Sequence, residues 1–348
     1  MRGPNGLIDS CSNNGDCVTS PDDLASRFPT GMCVCDEGWT GVGDFMNGAG
    51  LDCQINIATI KAWWVVVAAA TLGQILFAGY VLNLFKASGK DITKERVGRI
   101  ILVSIFGASL RIVEAIIRVI TGGMIGTHVL ITLIHGVPGA IFWGHSVPLF
   151  IENFLRVALG QAKMIKGEEK EKMTKKLVTL GRHMHAMRFI APVVFMVIPY
   201  STLISDDPDF HVLCSGAYYL ANTLMGTYVA FYCARDQVKN LSDMLSESLK
   251  NAPSDNMQRT VEKLGVMHRE ITNNGFSNSL SCIAFLAFPL LYNLQAYQTA
   301  FGWTICPLIS CVMYYTFMPK SDNGSSGHRP NKVAPTPTVM EDNMGERE

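Results

Sequence analysis

A helix needs about twenty apolar residues to cross a bilayer. Seven stretches of this chain reach or approach that length, at roughly 61–85, 98–120, 127–151, 187–204, 211–233, 278–296 and 298–318. No other feature limits the fold so strongly. In hydrocarbon every backbone N–H and C=O must be satisfied internally, so runs of this kind specify helices packed side by side. The fourth run is short and carries Pro192 and Pro199, and the last two are separated only by "LQAYQTAFG".

The basic residues predict the direction of travel, because Lys and Arg are retained on the cytoplasmic side. The connection after the first run, "KASGKDITKERVGR", holds five of them. Residues 156–188 hold nine, residues 234–277 hold six, and the tail from 319 holds four. On the opposite side the three short loops hold none, and the chain up to Lys61 holds three. This alternation predicts an N-terminus outside and a C-terminus in the cytoplasm, in the plasma membrane or an endomembrane. Trp63 and Trp64 stand where an outer aromatic belt anchors the first helix. The N-x-S/T sequons at Asn240 and Asn323 both fall on the predicted cytoplasmic side, where neither is used.

The expected organisation is an all-α seven-transmembrane-helix bundle over 58–318, preceded by a small disulfide-rich module over 1–57. A tail over 319–348 follows, disordered by composition. Zero net charge leaves no basic excess for phosphates, which argues against nucleic acid as a partner.

Ten cysteines are unevenly spread, and five of them (Cys11, Cys17, Cys33, Cys35 and Cys53) fall within the first 53 residues, in polar sequence. That density means disulfides in an oxidising compartment, in agreement with an outward N-terminus. The other five lie in or beside apolar runs, where cysteine behaves as a small hydrophobe. A zinc site is the competing reading of the first five, but tetrahedral sites usually show two paired ligand clusters. No metal is expected. The start, "MRGPNGLIDS", has no apolar core of a signal peptide. Either residues are missing upstream or the first helix carries the N-terminus outward.

"CSNNGDC" and "CVCDEGW" resemble the C-x-N-G-G-x-C and C-x-C-x-x-G-aromatic segments of EGF-like domains, over about residues 7–53. The family's pairing implies Cys11–Cys33 and Cys35–Cys53. The family's first cysteine is missing, which leaves Cys17 two readings: a partner upstream of the start, or Cys214 near the outer end of the fifth helix. The last loop is longer than the family's. The acidic residues of calcium-binding members are not clear in the sequence, and no cofactor is expected. About fifty residues cannot bury a sufficient core, so the cross-links would supply the order.

Ionisable groups inside a spanning helix are costly and mark candidate sites. Arg111, Glu114 and Arg118 share one face of the second helix. His135 and His145 lie in the third, with Glu152 seven residues beyond His145 on the same stripe. At 1.5 Å per residue, Glu114 and His135 fall at similar depth on neighbouring antiparallel helices. Their contact would be a structural ion-pair cluster, a ligand or ion site, or proton-coupled machinery. No H-E-x-x-H, G-x-S-x-G or Gly-rich phosphate motif is present, so no enzyme is expected. His183 and His185, in "GRHMHAMR", read as part of a basic helix against anionic lipid heads.

Seven helices with an outward N-terminus resemble G-protein-coupled receptors in topology only: the third helix ends "IENFLRVA" and the seventh carries "CPLIS" where N-P-x-x-Y would stand. The last helix has no Lys for a retinal Schiff base. Arg111-x6-Arg118 and "GVPGAIFWGHSVPLFIENF" resemble the plant seven-helix family associated with tobamovirus multiplication, which implies a scaffold or receptor-like role.

The inner segment over 234–277 is periodic. Val238, Leu241, Leu245 and Leu249 share one helical face, and Met257, Val261, Leu264 and Ile271 share another. Pro253 and Ser254 make a turn and N-cap between them. This is a helical hairpin, either a docking platform for a cytoplasmic partner or a stiff extension. The expected function is receptor-like or adhesive, the module binding an extracellular protein or glycan. The alternatives are a transporter or channel using Arg111, Glu114 and His135, or a membrane scaffold without signalling.

Overall fold

The computed structural model describes residues 14–18, 32–40, 53, 55–122, 129–161, 167–204, 208–251, 255–287 and 295–318. These include four short strands and ten α-helices. The strands are β1 (Gly15–Val18), β2 (Met32–Cys35), β3 (Trp39–Thr40) and β4 (Ile55–Asn56). Two antiparallel pairs form, β1 with β2 and β3 with β4. In the first ladder Cys17 is directly opposite Cys33, and in the second Trp39 is opposite Asn56. Gly38, at φ +87°, makes the tight turn between β2 and β3, a conformation that costs glycine little. Cys35 and Cys53 are joined by a disulfide, as the family resemblance implies. Cys11 lies outside the described residues, and with it the expected Cys11–Cys33 pair. Cys214 is a free, buried cysteine, so it is not the partner of Cys17.

The helices join into seven continuous rods. The first is α1 (Ile57–Ala87) and the second α2 (Arg96–Thr121). The third runs through α3 (Val129–Ile141), a π-helical turn at Phe142–Ser146, and α4 (Val147–Gln161). The fourth joins α5 (Gly167–Pro192), a π turn at Val193–Val197, and the short α6 (Ile198–Ser201). The fifth joins α7 (Pro208–Thr227), a π stretch at Tyr228–Arg235, and α8 (Asp236–Asn251). The last two are α9 (Asp255–Ala287) and α10 (Gln295–Phe317). Among the described residues the first five apolar runs fall on rods one to five and the last on rod seven, whereas the run at 278–296 begins on α9 and ends in α10, with 288–294 outside the described residues.

Local chemistry explains the breaks. Asn56 caps α1 by accepting from the Thr59 amide at 3.0 Å, which satisfies an otherwise orphaned donor. Gly122, at φ +66°, closes α2 in the left-handed conformation. In the turn between α1 and α2, the Asp91 carboxylate accepts from the Thr93 hydroxyl at 2.7 Å and the Thr93 amide at 3.0 Å. Those bonds hold its pKa below the usual carboxylate value.

Two of the π turns share one cause. Val147 N–H bonds to Phe142 O, and Ile198 N–H bonds to Val193 O, each five residues back. Each is followed at once by a proline, Pro148 or Pro199. A proline ring clashes with the carbonyl four residues before it, and a widened turn makes room. Rods three and four then press together where glycines face Phe195. A Cβ on Gly136 would run into the Phe195 carbonyl, and one on Gly139 into its ring. Small residues at such crossings let helix backbones approach closely.

Among the described residues, five helices are long and apolar enough to cross a membrane: Ile57–Ala87, Arg96–Thr121, Val129–Asn153, Thr174–Ser201 and Thr299–Phe317. The inner hairpin is present as read from its periodicity. Val238, Leu241, Leu245 and Leu264 are fully buried between α8 and α9, with Leu249, Val261 and Ile271 packed beside them. Lys263 of α9 caps the last rod, donating to Thr316 O at 2.8 Å and Met318 O at 3.3 Å. Pro253, Ser254 and the 319–348 tail lie outside the described residues.

Candidate functional site

Six intramembrane ionisable residues were singled out by the sequence, and the structure gathers four of them. Arg111, Glu114 and Arg118 lie one turn apart on α2, and all are buried. Glu114 sits between the two guanidinium groups. Its Oε2 accepts from Arg111 Nη1, and its Oε1 accepts from Arg118 Nε at 3.0 Å. His135 on α3 reaches across at the predicted depth, its Nδ1 2.7 Å from Glu114 Oε1. Arg111 Nη2 donates to the backbone carbonyl of His135 at 3.3 Å, tying the two rods a second time.

The tautomer follows from the partners. A carboxylate only accepts, so Nδ1–H donates to Glu114; in the neutral ring Nε2 then accepts from the Tyr218 hydroxyl, 2.7 Å away on α7. With that assignment, the 3.2 Å approach of Arg111 Nη1 to His135 Nδ1 is close packing of two donors.

Aromatic rings complete the shell. The Arg111 guanidinium lies 3.4 Å from the ring centre of Trp303 on α10, and Arg118 lies 4.3 Å from that of Trp64 on α1. A cation over an indole face is favourable, the more so where water is excluded. Five helices, α1, α2, α3, α7 and α10, thus meet around one carboxylate. Tyr218, Trp303 and Trp64 were not in the sequence-derived set, because residues from distant parts of the chain carry no shared spacing that would associate them. Trp64 was read only as a belt residue.

His145 and Glu152 do not join this cluster, which corrects the six-residue grouping. Both lie further along the third rod than His135, well beyond hydrogen-bond reach of Glu114. His145 is half-buried in the π turn. Glu152 pairs instead with Arg96 at the start of α2, at 3.3 Å. His183 and His185 are exposed on α5, and His183 Nδ1 is 2.6 Å from the Tyr228 hydroxyl.

A second junction ties the N-terminal module to the bundle. β4 runs straight into α1 with no linker, and Ile55 is fully buried in the main core. Gly38 O accepts from Ile57 N at 2.9 Å, and Asn14 Nδ2 donates to Cys53 O at 3.2 Å. Tyr297, in the first turn of α10, hydrogen-bonds to the backbone of Asn56. Module, first rod and last rod are therefore in direct contact.

Residues 3–43 match the family model of the EGF-like domain, and the disulfide reaches past that match to Cys53. No curated protein matches the chain, and no solved structure does. The N-terminal module is an EGF-like domain, on a helical chain with membrane-spanning capacity.

Proposed function

We propose that this chain is a receptor-like or adhesive multi-pass membrane protein whose EGF-like domain binds an extracellular protein or glycan. The observation that carries the reading is the absence of a linker: Asn56 ends the module, caps the first rod and is held by Tyr297 of the last. A tether would keep the module mobile. Direct attachment to two rods suits a module whose occupancy is felt by the bundle.

Seven spans with the N-terminus outside and the C-terminus cytoplasmic belong to this proposal, in the plasma membrane or an endomembrane. The alternation of basic residues supports it. So do the two rods whose composition is less apolar: Leu213 and Leu224 on α7, and Phe276, Leu280 and Ile283 on α9, are all exposed. Large apolar side chains exposed in a band suit contact with lipid. The hairpin over 234–277 is then the surface offered to a cytoplasmic partner. The reading assigns no catalysis. It also takes the Glu114 cluster as interhelical glue more than a transport site, since both carboxylate oxygens are engaged by groups of the cluster itself.

The test uses the full chain on intact cells. An epitope tag placed before Cys11 should bind antibody without permeabilisation. Antibody bound there should then change the rate at which a cytoplasmic reagent labels Glu247→Cys on the hairpin. Tag access only after permeabilisation would overturn the orientation, and an unchanged rate would overturn transmission.

A further inference from the structure

Where rod four meets rod five, a surface pocket of about 250 Å³ opens between α5 and the π stretch that leads into α8. Lys175, Lys176, Thr179 and His183 of α5 line one wall, and Tyr232 and Gln237 line the other. The α5 residues are three or four apart and share one helical face. No Asp or Glu is among the residues that line the pocket. Lys175 also reaches Glu171, one turn back, at 2.8 Å, but so exposed a pair holds its ammonium only weakly. Asp236, next to Gln237, is taken by Arg235 at 3.3 Å. The pocket keeps an excess of positive charge.

The neutral groups are arranged around that charge. The Tyr228 hydroxyl fixes the His183 ring through Nδ1. Thr179 gives its hydroxyl hydrogen to Lys175 O at 3.2 Å. Gln237 Oε1 is screened from solvent and has no partner, and a half turn of the amide presents N–H donors in its place. A phosphate monoester carries about −1.5 to −2 charges and three strong acceptor oxygens. That is enough for both ammonium groups and the amide.

The depth of the pocket points to a lipid as the source of the phosphate. Tyr228 and Tyr232 stack with ring centres 5.7 Å apart, and Tyr232 is exposed. Tyrosines of this kind sit at the level of lipid head groups. Further into the bundle along the same two rods, Phe189, Ile190 and Val193 of rod four and Leu224 of rod five are exposed. In the other direction Arg235, Asp236 and Lys239 follow on rod five. The pocket therefore lies where apolar surface gives way to charge. In the orientation proposed above it faces the cytoplasmic leaflet, which holds the anionic lipids.

We propose that this pocket binds the phosphate monoester head of an anionic membrane lipid, whose acyl chains stay in the bilayer beside rods four and five. Lys175 and Lys176 supply the counter-charge, and the Gln237 amide orients the head. The inference rests on the reading of the chain as a multi-pass membrane protein, and not on any partner of the EGF-like domain.

The experiment uses the full chain in phosphatidylcholine nanodiscs that contain phosphatidic acid, a monoester. Discs of equal total charge made with phosphatidylglycerol, a diester, are the comparison. Lipid retained by the protein after its release from the discs is counted by mass spectrometry. Phosphatidic acid should be retained and phosphatidylglycerol lost. Lys175→Gln with Lys176→Gln should weaken retention roughly tenfold, as expected for losing a hydrogen bond to a charged group, with the unfolding temperature in pure phosphatidylcholine unchanged. Lys90→Gln with Lys94→Gln, in the exposed turn between α1 and α2, should leave retention as it was. Equal retention of the two lipids, or equal losses in the two double variants, would mean surface charge only and overturn the site. Displacement by soluble glycerol phosphate would overturn the lipid as its source. A chain that enters the discs and retains no phosphatidic acid overturns this inference alone. One that does not enter them overturns the membrane reading and this inference with it.

Discussion

The backbone of Asn56 and the phenol of Tyr297 meet at 3.0 Å through the amide and 3.4 Å through the carbonyl. The hydroxyl accepts from the first and donates to the second, so one side chain reaches both backbone polar groups of the residue that leads into the first rod. It does so from the opposite end of the chain. Whatever moves β4 must strain this contact or carry the last rod with it.

Replacing Tyr297 by Phe keeps the ring and removes both bonds. A buried hydrogen bond contributes about 1 kcal/mol net, so the cost to the whole fold is small. The local effect is the informative one: hydrogen exchange at the Asn56 amide should quicken several-fold while amides in the middle of α2 keep their protection.

Glu114 holds two arginines and a histidine, and removing its charge leaves buried cations facing a neutral amide. Breaking a buried ion pair by removing one partner costs about 3–5 kcal/mol. Glu114→Gln should therefore lower the unfolding temperature of the solubilised protein markedly. Glu171→Gln, which removes the exposed pair with Lys175, should cost no more than about 0.5 kcal/mol. Equal effects would mean that the cluster does not join the rods.

The Cys35–Cys53 disulfide spans 18 residues of sequence. A loop of that size contributes about 3 kcal/mol by restricting the unfolded chain. Cys35→Ser should open the module to limited proteolysis between β3 and β4. The bundle's own unfolding should be largely retained, because most of its core lies outside the module.

Glycine substitutions should separate close approach from open surface. Gly136→Ala drives a methyl group into the backbone at Phe195 and Met196, and overpacking of this kind costs about 1–3 kcal/mol. Gly302→Ala meets open space and should stabilise by up to about 1 kcal/mol through helix propensity. Thermal unfolding of the two variants should shift in opposite directions.

Much of the architecture was written in local pattern. The seven rods follow from apolar runs, the hairpin from the spacing of Val238, Leu241, Leu245 and Leu264, and the EGF-like domain from its cysteines and Gly38. The meeting of Glu114 with His135 was legible too, because two helices joined by a short loop fix relative depth. The wider grouping failed at His145 and Glu152. A shared stripe on one helix places residues on a face, but depth along that helix and the neighbour opposite decide who touches.

Local pattern alone sets which segments are helical and apolar, that a cysteine-rich module precedes them, and which ionisable residues share a face. These are properties of neighbours along the chain. Only the tertiary structure decided that Tyr218, Trp303 and Trp64 close the Glu114 cluster and that Tyr297 grips Asn56. Each of these depends on the packing of rods far apart in sequence. Such packing is set by the close approach of small residues and the widened turns before Pro148 and Pro199, which no local periodicity encodes.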